Sequence, residues 1–151
     1  MSQSMQIGSW SLLAIPPGWE VLHGYGIRRI GQNVFPSVLM MVEEKLPEGS
    51  TLPGYVANQI EAIKGLLREP KFKGPVPVAM PEASEAQRLG VSYNLDDGRA
   101  VVQIQIYATA ADIVGNATFT TLEEELPTIS NTLQALIKNL RFQPPYGESP
   151  A

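Results

Sequence analysis

Two stretches of this chain place apolar residues at helical spacing. Leu52, Val56, Ile60, Ile63 and Leu67 form one stripe, and Leu126, Ile129, Leu133, Leu136 and Leu140 form another. Ser50 or Thr51 supplies an N-cap for the first helix, and Pro53 fits its first turn. That helix ends before Pro70. Glu123, Glu124 and Glu125 suit the positive end of the second helix dipole, and Pro127 requires that helix to begin close to Glu124.

Elsewhere the period is two. Leu89, Val91, Tyr93 and Leu95 share one phase, and Val102, Ile104, Ile106 and Ala108 share another. Asp97-Gly98 predicts a two-residue type I′ hairpin, which sets Tyr93 opposite Val102, Val91 opposite Ile104 and Leu89 opposite Ile106. A second loop at Ala110-Ala111 sets Ala108 opposite Ile113 and Ile104 opposite Ala117. The apolar phases agree in both hairpins, so this face is expected to lie under the helices. The opposite face then carries Ser92, Asn94, Gln103, Gln105, Asn116, Thr118 and Thr120, a surface of amides and hydroxyls with almost no charge. A plain solvated sheet face is the alternative reading of the same pattern.

The remaining strands are shorter. Trp10–Ile15 stops at Pro16-Pro17-Gly18, and a second strand is expected near Glu20–Ile27. From Pro36 to Glu44 both phases are apolar, which predicts a strand covered on both faces. Pro75, Pro77 and Pro81 confine Lys71–Pro81 to an edge strand or an extended arm.

The chain has 151 residues, 44% of them apolar, enough for one domain with its own core. No internal repeat or linker divides it, so residues 1–143 read as a single domain and residues 144–151, rich in proline, as a disordered tail. A net charge of −4 argues against nucleic acid as a partner. The chain has no cysteine and one histidine, so no metal or other cofactor is expected. No apolar run is long enough to span a membrane, and no signal peptide is visible, so a cytoplasmic protein is expected.

Candidate chemistry is sparse. His23 has no Ser or Cys nucleophile context. Asp96-Asp97 belongs to a turn, and Glu43-Glu44 closes a strand. Gly24-Tyr25-Gly26 lacks the third glycine and the helix of a dinucleotide loop. Met40-Met41 reads first as core and second as adaptable binding surface. No catalytic set assembles, and a non-enzymatic binding protein is expected.

An ordered pattern then carries a resemblance. It runs through Ile15-Pro16-Pro17-Gly18-Trp19, a strand ending in Glu43-Glu44, and Tyr55-Val56-Ala57-Asn58-Gln59-Ile60. It continues through Leu89-Gly90, Gln103-Ile104-Gln105-Ile106-Tyr107 and Ala117-Thr118-Phe119-Thr120, and closes with a helix leading into Leu140-Arg141-Phe142. Over about residues 7 to 143 this resembles the DcrB-like family, which has the PsbP-like fold. The resemblance implies an α+β architecture: a curved antiparallel sheet of about six or seven strands with two main helices packed on one face.

Among such proteins the chain is most similar to the Eag chaperones of type VI secretion, although Gly24 and Gly26 stand where those chaperones carry apolar side chains. The resemblance implies a homodimer that holds the transmembrane helices of an effector on its concave sheet face. Gln59 and Gln105 match the family's binding glutamines, and Gln103 is a neighbour. With Leu39 or Met41 as apolar contacts and Asn116 and Thr118 as polar ones, these residues make the expected partner site. Gln105 is taken to lie outside the core. The alternative is a non-catalytic docking or cell-envelope accessory protein of the same fold, and an enzyme is the third class.

Overall fold

The computed structural model describes residues 3–22, 24, 26–30 and 37–143. His23 and the proline-rich tail lie outside the described residues. The chain order is β1 (Met5–Ile7), β2 (Trp10–Leu12), β3 (Trp19–Leu22), β4 (Gly26–Arg29), β5 (Val38–Lys45) and α1 (Leu52–Leu66). There follow β6 (Lys71–Pro77), β7 (Glu85–Asn94), β8 (Ala100–Ala110), β9 (Ile113–Leu122), a 3-10 turn at Glu123–Glu125, α2 (Leu126–Lys138) and β10 (Leu140–Phe142). The expected second strand is a hairpin of two, β3 and β4.

Seven strands form one antiparallel sheet in the order β3-β4-β5-β9-β8-β7-β6, and β1-β2-β10 form a small second sheet. The antiparallel α+β class stands as predicted, but the placement of both helices on one face does not. Leu133, Leu136 and Ile137 of α2 line the same apolar space as Ile104, Ile106, Ala117 and Phe119. Leu52 and Val56 of α1 instead pack with Leu89, Val91, Tyr107 and Val114. Side chains alternate along a strand, so Ile106 and Tyr107 point to opposite faces and the helices flank the sheet. The small sheet shares the α2 side, where the tilted rings of Trp10 and Phe142 pack with centroids 4.6 Å apart. Gly115 makes that packing possible: a Cβ there would lie 2.3 Å from Phe142 and 2.6 Å from Trp10.

The first hairpin explains the difference. Leu95 N–H donates to Arg99 C=O at 2.8 Å, and Gly98 N–H donates to Leu95 C=O at 2.9 Å. Asp96, Asp97 and Gly98 therefore form a three-residue loop, with Gly98 in the left-handed region at φ +90°. Tyr93 pairs with Val101, Val91 with Gln103 and Leu89 with Gln105. A slip of one residue turns the apolar phase of β7 to the other face. In the second hairpin Ala110 pairs with Ile113 and Ile104 with Phe119. That register differs from the expected one by two residues, so its faces are unchanged.

The helix ends follow the sequence closely. Thr51 caps α1, its Oγ1 accepting from Gly54 N–H at 3.2 Å. Pro127 sits in the first turn of α2, just after the Glu123–Glu125 turn. β6 is an edge strand whose register with β7 shifts between Lys73 and Val76. Part of the arm beyond it folds home: Val78 N–H donates to Ala86 C=O at 3.1 Å, and Val78 and Met80 pack on the core.

Candidate binding face

On the α1 side of the sheet, each strand contributes alternate residues. One cross-strand row runs Leu89, Gln105, Thr118, Met40, Gly26. Rows on either side bring in Gln103 with Thr120, and Tyr107 with Asn116 and Val42. α1 covers the β7–β8 part of this face and reaches Val114 of β9, while among the described residues no helix lies over Thr118, Met40 and Val42. Met40 is 41% exposed and Val42 is 52% exposed. Gly26 adds no side chain beside Met40, and it could not carry one: a Cβ would lie 1.8 Å from the Leu39 carbonyl oxygen of β5.

Expected partner residues divide between the faces. Gln103, Gln105, Asn116 and Thr118 come together on the α1 side. Gln59 lies half-buried on α1, one turn beyond Tyr55. Leu39 and Met41 do not join them. They are 4% and 1% exposed and belong to the core under α2. The expectation that β5 is covered on both faces is corrected with them: its second apolar phase, Met40 and Val42, stands in the open. Val42 was not among the residues expected at the site, and Met40 entered only through the second reading of the Met40-Met41 pair as adaptable binding surface. The signal was available in the doubly apolar pattern of β5, which fits either a buried strand or a strand with a binding face.

Gln105 is also not where it was expected. It is 5% exposed, and its amide is held at both ends. The buried Tyr107 hydroxyl donates to Gln105 Oε1, and Gln105 Nε2 donates to Gln103 Oε1 at 2.9 Å. On β9, Thr118 Oγ1 donates to Asn116 Oδ1 at 2.9 Å. Replacing Gln105 would therefore strand the Tyr107 hydroxyl in the interior as well as alter the surface.

Tyr55 ties α1 to the sheet. Its ring meets Tyr107 edge-on at 6.2 Å, and its hydroxyl donates to the Glu44 carboxylate at the far end of β5. An open cleft lies beside it, lined by Val42, Glu44, Val114 and Asn116. Burial, then the bond to Glu44 and its negative charge, hold the Tyr55 hydroxyl well above the ordinary phenol range. Burial pushes Tyr107 up to about 12. Burial also raises Tyr93, although a contact with the Gln103 amide works against it. These shifts mark protonated tyrosines in a wall, not groups poised for proton transfer near neutrality.

Charge is confined to the margins. Arg28 pairs with Glu20 at 2.6 Å near the β3 edge, and Glu44 is engaged by Tyr55. The central residues Gln103, Thr120, Val38, Thr118, Met40, Asn116 and Val42 are all uncharged. Among the described residues, no group of three or more His, Asp or Glu side chains could hold a metal ion. No helix among them is long and apolar enough to cross a membrane.

Together the open seven-stranded antiparallel sheet, the two helices and the small accessory sheet make an α+β domain with a PsbP-like fold. No family model matches the chain, and no curated protein matches it in sequence. Solved structures match it in fold. PA94 from Pseudomonas aeruginosa, a protein of unknown function, superposes with a TM-score of 0.64 at 16% identity, covering 99% of each chain. LpqN from Mycobacterium tuberculosis, which is involved in cell envelope biogenesis, gives 0.66 at 19% identity over 94% of this chain and 91% of its own. Cyanobacterial PsbP from Synechocystis sp. PCC 6803 gives 0.63 at 11% identity over 93% and 91%. At these identities the likeness is one of fold.

Proposed function

We propose that the protein is a non-catalytic binding protein that seats an apolar helix on the uncovered β9–β5 half of the α1 face. The carrying observation is the exposure of Met40 and Val42 in an uncharged field of Gln103, Asn116, Thr118 and Thr120. A transmembrane helix outside its membrane presents apolar side chains with scattered hydroxyls and carbonyls. Exposed methionine adapts to irregular apolar shapes, and each amide hydrogen bond adds about 1 kcal/mol net. The resemblance to Eag chaperones supplies the class of cargo: transmembrane segments of a type VI secretion effector, held in the cytoplasm by a homodimer. A second reading is a docking or envelope accessory role. It draws on the fold shared with LpqN.

Co-purification with effector fragments that contain or lack transmembrane segments tests the proposal. The wild-type protein should retain only the former. Met40→Glu and Val42→Glu should release them, because a carboxylate would be desolvated against an apolar helix. Equal retention of both fragment classes, or by both variants, would leave the docking role as the better reading. Light scattering at micromolar concentration tests the dimer.

A further inference from the structure

A buried hydroxyl has one proton and must place it. The Tyr107 side chain is closed in under α1, and the acceptor its hydroxyl reaches is Gln105 Oε1. That bond fixes which end of the Gln105 amide faces inward. The other end, Nε2, donates to Gln103 Oε1 at 2.9 Å, so the Gln103 amide is fixed in turn with an N–H toward the Tyr93 hydroxyl. Thr118 orients Asn116 in the same sense by occupying Oδ1. Each amide oxygen of this group already has one of its two lone pairs filled from within the protein, while the Asn116 N–H groups and the Gln103 N–H not turned to Tyr93 remain for a partner.

We propose that Tyr107 is a positioning residue that sets the polarity of the face, biasing its amides toward donation to partners with free oxygen acceptors. The proposal rests on the apolar-helix reading above and narrows it. A continuous apolar helix offers few free acceptors in its middle, because its carbonyls are bonded internally. A helix broken by proline frees a carbonyl without adding a donor. Segments with such breaks, or with outward hydroxyl oxygens, are the preferred occupants.

Two synthetic apolar helical peptides in detergent micelles provide the probes, identical except for a central proline. The wild-type protein should bind the proline peptide roughly five- to tenfold more tightly, the effect of one added hydrogen bond. Tyr107→Phe should bring that ratio close to one while leaving affinity for the uninterrupted peptide unchanged. Gln105→Met breaks the same relay one link further on and should also bring the ratio close to one, so the test survives if either variant folds poorly. A merely structural role for Tyr107 would weaken both peptides together.

In the free protein, the side-chain NH2 resonances of Gln105 should exchange slowly with solvent, and Tyr107→Phe should speed that exchange. Unchanged exchange in Tyr107→Phe overturns the positioning role whatever the peptides do. A wild-type ratio of one, with both peptides bound, overturns the selectivity and leaves the binding reading intact. Failure to bind either peptide overturns the binding reading and the selectivity with it, while the exchange data still decide the orientation of the amides.

Discussion

The two faces of the seven-stranded sheet are built from the same strands and closed to different degrees. On the α2 side, Leu39, Met41, Ile106, Ala117 and Phe119 meet a helix and a second sheet, and Trp10 and Phe142 fill the remaining space. On the α1 side, one helix buries Leu52 and Val56 at its N-terminal half and reaches Val114 of β9, while Met40 and Val42 of β5 stand exposed. The first arrangement is a core. The second supports α1 on a short apolar strip and leaves a wall of amides, hydroxyls and methionine facing outward. The same alternation along β5 serves both, since Met41 and Met40 are neighbours in sequence.

The contrast breaks most visibly if the closed face is opened. Trp10 is fully buried against Phe142, and its Nε1 donates to the Val42 carbonyl at 2.9 Å. Trp10→Ala removes the ring, leaves a cavity and strands that carbonyl, so it should cost about 3–5 kcal/mol in urea unfolding. Gly115→Ala should act in the same direction by overpacking, at roughly 1–3 kcal/mol or more.

Alkaline pH probes the other face. The Tyr107 hydroxyl titrates at about 12 in the folded chain, against an ordinary value near 10 when unfolded. The stability gained by keeping it protonated is fully present below pH 10 and is lost as pH rises through the folded value. The loss should be roughly 2 kcal/mol, with Tyr93 and Tyr55 acting in the same sense. Unfolding midpoints measured from pH 9 to 12, alongside tyrosinate absorbance, should show a decline that Tyr107→Phe flattens. A decline of equal steepness in that variant would place the sensitivity elsewhere.

A smaller effect tests how lightly α1 is held. Thr51→Ala removes the side chain that accepts from Gly54 N–H and should cost about 1 kcal/mol. Because α1 is buried chiefly at its first two turns, amide exchange should accelerate in α1 before it does in α2. Uniform acceleration through both helices would mean that α1 opens only with the whole fold.

Much of this architecture was legible in the chain. Both helices, their proline-bearing first turns and the three long central strands follow from spacing and capping chemistry. The face assignment was not legible, for one local reason. Asp97-Gly98 fits a two-residue loop, but Asp97 accepts from Arg99 N–H at 3.0 Å and from its Nε at 2.7 Å, and the loop closes over three residues. That single residue carries Leu89, Val91 and Tyr93 to the amide face and draws α1 after them. The equivalent error at Ala111-Asp112 was even and cost nothing. For the site, the amides and hydroxyls of β8 and β9 were found as a group, whereas Leu39 and Met41 were chosen from the wrong phase of β5. A strand apolar in both phases does not reveal from sequence alone which phase is covered.

The smallest expected effect is the sharpest test of that last point. Met40 and Met41 are the same residue type on the same strand, one 41% and the other 1% exposed. Met41→Ala should cost about 2–5 kcal/mol, because its side chain leaves a cavity among Leu39, Ala117 and the residues under α2. Met40→Ala should change stability by less than about 0.5 kcal/mol, because it borders Thr118 and the bare Gly26 and opens no cavity. Equilibrium unfolding of the two variants under one set of conditions gives both values. A substantial loss for Met40→Ala would mean that its side chain is covered in solution, as by a second copy, and that the face is not open to an apolar helix. A neutral result leaves an apolar side chain that contributes little to the fold in an otherwise uncharged surface, which is the condition the binding reading requires.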